Sequence, residues 1–321
     1  MRHRSSTQNL LTMTIAFVII AMSLWIPDLV QQIELVIVAA AIALVGIPHG
    51  AIDHLIAAKV YEQGSSIWDH IRFYGWYLFL MVALSVLWFF SPAAGFILFM
   101  VISVLHFGQS DIEGFFHRFE IYEPSTGWVI AATVSRGLAI IGLILSAHAD
   151  VALSIVGEAL PQDSILFQWM NSQHELIFWG SLGQFALFMP VFSFIGFQSW
   201  SQRGQFLLDS VVLIALFVTA RPLLSFAIYF AFWHSMGHID EIRTYFGEKG
   251  QPLTIAGFAY RALPFTLISF AGLAGLLWIA QAMELGNRLV MLTFVLISVL
   301  TLPHMIVAHS LIQNVGQKKT H

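Results

Sequence analysis

The sequence consists largely of apolar runs whose length matches a lipid bilayer. A helix needs roughly 17 to 25 mostly apolar residues to cross about 30 Å of hydrocarbon. Hydrophobic residues make up 58% of the 321 positions and charged residues only 10%, whereas soluble domains carry about 25% charged residues. The composition therefore predicts an all-α fold, a polytopic integral membrane helical bundle.

Ten apolar runs are long enough to be membrane helices. They lie near residues 10–27, 34–58, 71–91, 93–110, 127–147, 175–197, 205–220, 222–245, 263–283 and 288–312. Because proline cannot easily continue a preceding helix, Ser91-Pro92 and Arg221-Pro222 are predicted to be short turns between neighbouring helices. Residues 148–173 would form the longest outer loop, with a short helix lying on the surface.

Basic residues near helix ends favour the cytoplasmic side of a membrane and so predict an orientation. With a cytoplasmic N-terminus, eleven of the fourteen Lys and Arg residues fall on the inner side, and only Arg221 and Arg288 fall on the outer side. We therefore predict a single membrane domain over 1–321 with cytoplasmic tails 1–9 and 313–321. We place this multi-pass chain in the inner (plasma) membrane of the cell. Its formal charge of -4 gives no reason to expect nucleic acid as a partner.

Seven of the thirteen histidines fall within the predicted membrane helices. They are His49, His54, His106, His234, His238, His304 and His309. An ionisable ring in a bilayer is costly, so such a residue usually faces the bundle interior and has a function. The chain has no cysteine, which excludes thiolate ligands and favours a transition metal bound by imidazole.

The depth and spacing of these histidines indicate one shared centre. Those of helices two, four, eight and ten all lie in the cytoplasmic half of their helix. His234 and His238 are four apart, so at about 100° per residue they differ by about 40° and can bind one ion. His304 and His309 are five apart, as are His49 and His54, so only one member of each pair easily faces a common metal.

Other polar residues near these positions are candidates for supporting roles. Asp53 lies four residues after His49 and is predicted to orient its ring, as carboxylates commonly do around metal-bound histidine. Glu241 lies three residues after His238 and shares its face. His54, His304 and His309 complete the supporting set, with direct ligation by His304 or His309 left open. By contrast, Asp111 and Glu113 are expected to form a solvated helix end.

Four segments together resemble a known family. They are Gly46–His54 (GIPHGAIDH), Leu105–Gly108 (LHFG), Phe232–His238 (FWHSMGH) and Pro303–His309 (PHMIVAH). In these segments the chain resembles the Brp/Blh family of β-carotene dioxygenases, from about residue 40 to 312. The resemblance implies cleavage of β-carotene at its central 15,15′ double bond with O2, giving two molecules of all-trans-retinal. It also implies a non-haem Fe(2+) bound by His49, His106, His234 and His238.

A C40 hydrocarbon substrate fits this composition. Such a molecule is delivered most simply from the bilayer through a lateral opening, so we expect a long apolar tunnel whose end selects the bond that breaks. Four imidazoles leave two positions open on an octahedral ferrous ion. A retinal product would also link the chain functionally to a retinal-binding rhodopsin.

Two other functions would also use intramembrane histidines. A metal or proton transporter could use His234 and His238 as a relay, yet the outer halves of the histidine-bearing helices are almost wholly apolar. A membrane di-iron desaturase or hydroxylase would resemble its class through adjacent His-His pairs, and the sequence contains no such dipeptide.

Overall fold

The computed structural model of the chain describes residues 6–61, 66–119, 124–247, 252–282 and 289–317. In these residues the elements are α1 (Ser6–Trp25), α2 (Pro27–Ala41), π1 (Ile42–Gly46), α3 (Ile47–Gly50), α4 (Asp53–Val60), α5 (Ile67–Phe90), α6 (Pro92–Phe119), α7 (Thr126–Ser146), α8 (Ala149–Ala159), α9 (Ile165–Ser172), α10 (His174–Gly196), α11 (Trp200–Thr219), α12 (Pro222–Ile228), π2 (Tyr229–Ser235), α13 (Met236–Tyr245), α14 (Ile255–Ala282) and α15 (Leu289–Gln317). All of them are helical, which confirms the all-α prediction. Residues 6–9 and 313–317 of the predicted tails belong to α1 and α15. The rest of both tails and several of the basic residues used to orient the chain, among them Arg288, lie outside the described residues.

Eight helices in the described part of the chain are long and apolar enough to cross a membrane. They match eight of the ten predicted spans. The other two predicted spans are also helical: Val295–Leu311 is a shorter apolar stretch of α15, and α12, π2 and α13 follow one another without a break. The turns at Pro92 and Pro222 are confirmed, because α6 and α12 begin at these prolines.

Many large apolar side chains lie on the outside of the helices. Trp25, Phe89 and Phe90 are about four-fifths exposed, at 81%, 81% and 79%. Extensive exposed apolar surface is unusual in a soluble monomer, because contact between apolar side chains and water is unfavourable. Contact with lipid avoids this unfavourable hydration. Together with the apolar helices, this surface makes the chain a polytopic membrane protein.

Two predicted boundaries differ from the structure. α6 continues to Phe119, well past the predicted end at residue 110, because Ile112, Phe115 and Phe116 form an apolar face that packs into a buried cluster. Residues 148–173 contain two short helices, α8 and α9, where the sequence predicted one.

The described chain forms two compact units, each assembled from three separated stretches. Unit 1 comprises the chain up to Gly46, Ser103–Ser154 and Ile165–Asp240. Unit 2 comprises Ile47–Ile102, Ile155–Ser164 and the chain from Glu241 onward. The single domain remains a prediction.

Unit 1 packs around closely spaced helices. α7 lies against α10, α11 and α12, and α1 lies against α11. Glycines let α6 and α7 approach each other: a Cβ added at Gly108 would overlap the Thr133 carbonyl, and one at Gly137 would overlap the Val104 carbonyl. Small residues at such contacts are typical of membrane helix pairs. This approach brings His106 of α6 and Arg136 of α7 into the interior of unit 1.

Unit 2 is organised around α15, which packs against α4 and α5. Two side-chain hydrogen bonds hold α15 on either side of its midpoint. The Trp88 indole donates to Ser298 at 2.9 Å, and the hydroxyls of Tyr61 and Ser310 lie 2.8 Å apart. α15 is therefore fixed along its length on both sides of His304.

Candidate metal centre

Unit 1 brings His106 and His234 together. His106 lies on α6 and His234 on π2, and their ring centroids are 4.7 Å apart with the planes at 73°. Phe107 meets the His234 ring edge-on at 5.0 Å, while Phe230 stacks on it at 5.6 Å. Both imidazoles are buried, His234 almost completely at 1% exposure. These two residues define the unit 1 histidine pair.

The unit 1 histidine pair is built on an unusual helix geometry. π-Helical turns are rare in proteins, and those that do occur are frequently found at functional sites. In unit 1, π1 and π2 pack against each other. Gly46, the last residue of π1, makes this contact possible, because a Cβ at that position would lie 2.6 Å from Cε1 of Phe230. The absence of a side chain at Gly46 therefore leaves room for the Phe230 ring that stacks on His234.

A buried ionic network supports π2 from the other side. Arg136 is fully buried and its guanidinium donates to Asp111 at 2.8 Å, to Asp209 at 2.7 Å and to Ser210 at 3.1 Å. Asp111 accepts a hydrogen bond from Tyr229 at 3.2 Å. These residues connect α6, α7 and α11 in the apolar interior, where an unpaired charge would be very costly. We call Arg136, Asp111 and Asp209 the Arg136 network.

The Arg136 network reaches the residue next to His234. The Trp233 indole donates to Asp209 at 3.0 Å, so Tyr229 and Trp233, both on π2, are each bound to one carboxylate of the network. Two anchored residues within one short segment restrict its rotation. The Arg136 network therefore sets the direction in which His234 points.

The sequence missed this network. Asp111 and Glu113 were predicted to be solvated, and this prediction is wrong, since their exposures are 7% and 9%. Asp111 pairs with Arg136, and Glu113 accepts a hydrogen bond from Gln109 at 2.8 Å. The usable signal was Arg136 itself, because an arginine within a membrane helix requires anionic partners on neighbouring helices.

Unit 2 brings His49 and His304 together. His49 lies on α3 and His304 on α15, both are buried, and their ring centroids are 4.9 Å apart with the planes at 89°. We call these residues the unit 2 histidine pair.

Asp53 binds His304 in this structure. Nδ1 of His304 lies 3.0 Å from both carboxylate oxygens of Asp53, and the Tyr77 hydroxyl donates to Oδ2 at 3.0 Å. Asp53 is buried at 4% exposure, so these contacts replace the hydrogen bonds that its carboxylate would otherwise make to water. A role for Asp53 in orienting His49, as the sequence indicated, remains a prediction.

The remaining candidates have different surroundings. His238 is buried at 3% exposure on α13, and Glu241 is half-buried on the same helix. The half-buried His54 ring lies 4.3 Å from the Phe265 ring, and His309 is exposed. The contrast between buried His304 and exposed His309 agrees with the expectation that only one of the two faces inward.

The separation of the rings in each histidine pair is compatible with two imidazoles bound to one ion. With a metal–imidazole bond of about 2.1 Å and the ring centre about 1.1 Å beyond the nitrogen, each ring centre lies about 3.2 Å from the metal. Two such ligands whose bonds form a right angle at the metal have ring centres about 4.5 Å apart. The observed separations of 4.7 and 4.9 Å are close to this value. Imidazole nitrogen suits iron, zinc, copper and nickel. The donors in each unit therefore fit a transition metal.

The fold and the two histidine pairs define a polytopic, all-α membrane protein with buried imidazole groups. A family model described as β-carotene 15,15′-dioxygenase matches residues 40–312. Because this match covers most of the sequence, the chain belongs to that family. The predicted resemblance is thereby confirmed, as is the prediction of a carotenoid-cleaving dioxygenase, an oxidoreductase, over a transporter or a di-iron desaturase.

Two curated proteins are similar over most of their length. One, from Halobacterium salinarum, is named probable β-carotene 15,15′-dioxygenase Blh and is 27% identical over 289 residues, 84% of this chain and 82% of that protein. The other, from an uncultured marine bacterium 66A03, is named β-carotene 15,15′-dioxygenase and is 24% identical over 274 residues, 83% of this chain and 90% of that protein. No solved structure matches the chain significantly.

Proposed function

We propose that this chain uses O2 to cleave β-carotene at the central 15,15′ double bond, giving two molecules of all-trans-retinal. In this proposal a ferrous ion is bound by His49, His106, His234 and His238. When bound, the ion supplies the activation of oxygen. Family membership supports the reaction, and both similar proteins carry the name of this activity.

The burial of the four histidines is the observation that carries the ligand assignment. Their exposures are 5%, 7%, 1% and 3% for His49, His106, His234 and His238. A buried imidazole in an apolar bundle loses its hydration, and metal coordination repays that cost. The imidazoles must be neutral to bind a metal.

The protein's contribution to the chemistry is to hold and shield the reacting groups. Phe107 and Phe230 enclose the His234 ring, which excludes water from one side of the unit 1 histidine pair. A rigid polyene has few internal rotations to lose, so positioning along an apolar tunnel determines which double bond is attacked. We propose that this tunnel opens laterally to the bilayer, from which the hydrocarbon enters.

We further propose that the chain lies in the inner membrane with a cytoplasmic N-terminus. The retinal released there remains in the lipid phase, because it is largely hydrocarbon. A retinal-binding rhodopsin in the same membrane is therefore a suitable recipient.

The proposal is tested by expressing the chain in cells that accumulate β-carotene. We expect loss of colour, retinal detectable by chromatography and close to one iron per purified chain. His234→Ala should abolish retinal formation and lower iron affinity by more than the 10- to 100-fold typical of residues that only support a ligand. The variant should still reach the membrane, because the helices around it retain their apolar surfaces.

His174→Ala is the matched control. His174 is half-buried at the start of α10, where its Nδ1 lies 2.8 Å from the Asn171 carbonyl oxygen, so its loss should leave both iron and retinal at the level of the unaltered chain. Full iron content and full activity in His234→Ala would contradict the ligand assignment. A chain that consumes β-carotene without producing retinal would contradict the choice of the central bond.

A further inference from the structure

We propose that His304 is an additional metal ligand, donating through Nε2 and oriented by Asp53 and Tyr77. The inference rests on the proposed ferrous site and extends its ligand set.

The contact with Asp53 determines which tautomer His304 adopts. An ionised carboxylate can only accept hydrogen bonds, so the contact of 3.0 Å between Nδ1 and Asp53 requires the proton to be on Nδ1. In a neutral imidazole the lone pair is then on Nε2. A carboxylate bound to one ring nitrogen while the other binds metal is a common arrangement around metal-bound histidine, and it raises the basicity of the ligand.

Asp53 and Tyr77 restrict the orientation of the His304 ring. Both oxygens of Asp53 lie 3.0 Å from Nδ1 of His304, and Tyr77 donates to the same carboxylate from α5. Asp53 is thereby bound from two helices, α5 and α15. This restricts rotation of the His304 ring far more than packing alone, which is what a ligand position requires.

His49 lies close to His304. His49 and Asp53 are separated by about one helical turn, and both lie beside α15, where His304 contacts each of them. The centroid separation of 4.9 Å between His49 and His304 matches two imidazoles on one ion, as calculated above. If His49 binds the metal, His304 therefore lies at the distance of its neighbouring ligand.

α15 itself favours this placement. Pro303 precedes His304 within the helix, and a proline removes a backbone hydrogen bond and permits a local bend. The hydrogen bonds of Ser298 and Ser310 hold the helix on both sides of that point. His309, five residues further along, is exposed, so the helix presents one histidine inward and the other outward.

The experiment compares metal binding by the purified full-length chain and its variants in detergent. Metal is first removed with a chelator, and Co(2+) is then titrated as a spectroscopic probe while its visible absorption is recorded. His304→Ala should weaken Co(2+) binding by more than about 100-fold and change the absorption spectrum. Asp53→Asn should weaken binding by about 10- to 100-fold, and Tyr77→Phe by less.

His309→Ala is the matched control on the same helix, and its Co(2+) affinity should equal that of the unaltered chain. Circular dichroism and gel filtration would establish that each variant is folded. Adding free imidazole to His304→Ala should restore part of the original spectrum, which loss of a purely structural contact would not allow.

Two results separate this inference from the proposed function. If the unaltered chain binds iron and forms retinal, while His304→Ala retains its Co(2+) affinity and spectrum, then His304 is not a ligand and the four-histidine site stands. If the unaltered chain binds neither iron nor Co(2+), the proposed site and this inference are both wrong.

Discussion

At the scale of single residues, the Arg136 network is the strongest constraint in unit 1. One guanidinium faces two carboxylates with exposures below a tenth. Buried ion pairs are not necessarily stabilising relative to apolar packing, yet removing one partner leaves a charge stranded in a low-dielectric interior. Because Tyr229 and Trp233 bind the same carboxylates, damage to the network should also reach π2.

We expect Arg136→Met to lower the free energy of unfolding by about 3–5 kcal/mol, because Asp111 and Asp209 would remain buried without their cation. The loss would be measured by chemical denaturation in detergent micelles. Restoring much of the stability should require neutralising both carboxylates as well.

Arg203→Met is the comparison for this prediction. Arg203 is half-buried and lies over the rings of Phe194 and Trp200 at 4.7 and 5.0 Å, so its removal should cost at most about 1 kcal/mol. An equal loss of unfolding free energy in the two variants would show that the buried Arg136 network contributes no more to stability than the half-buried Arg203.

At the scale of elements, the two π-helical segments determine how His234 is presented. π1 ends at Gly46, π2 carries His234, and the two pack together through Phe230. This arrangement leaves no room for a side chain on π1 at the point of contact.

Gly46→Ala should therefore disturb the metal site without touching a ligand. The added Cβ would lie 2.6 Å from Phe230, whose ring must move away from its stack on His234. We expect about 1–3 kcal/mol of destabilisation from overpacking and about a 10-fold loss of iron affinity, measured by denaturation and by metal competition.

Gly75→Ala tests the same substitution where space is available. Among the described residues, no atom outside the helix's own backbone and the neighbouring residues lies within 4 Å of a Cβ built at Gly75 in α5. Alanine there should be neutral or should stabilise the helix by up to about 1 kcal/mol. A loss of iron affinity as large as that of Gly46→Ala would show that the contact with Phe230 is not the cause.

The helices could be predicted from sequence, and their polar contacts largely could not. Hydropathy is a local property, so runs such as 127–147 and 175–197 identify α7 and α10 closely. The bond between Asp53 and His304 joins residues 251 positions apart, and no local pattern encodes that pairing. The sequence assigned Asp53 to His49 because helical spacing is the only geometry it makes visible. The π segments were missed for the same reason.

At the scale of the whole molecule, both units combine early, middle and late parts of the chain. The hydrogen bond between Asp53 and His304 cannot form until α15 has been made. Non-local contacts of this kind are slow to assemble. We therefore expect the unit 2 histidine pair to be completed late in folding.

The predicted orientation can be tested with cysteine labelling, because the chain has no native cysteine. In Asp163→Cys, between α8 and α9, the new thiol should react with an impermeant maleimide applied to the outside of intact cells. In Gln198→Cys, between α10 and α11, it should react only after the membrane is opened. Both positions are exposed, and the reverse pattern would invert the predicted topology.

The π segments also make the chain sensitive to changes in length. A helix turns by about 100° per residue, so deleting one residue from π2 would rotate His238 relative to the Arg136 network. Such a deletion could leave a continuous, apolar helix of acceptable stability while pointing His238 elsewhere. The number of residues within Tyr229–Ser235 is thus constrained in addition to the identities of Tyr229, Trp233 and His234, and an insertion or deletion there should impair the site.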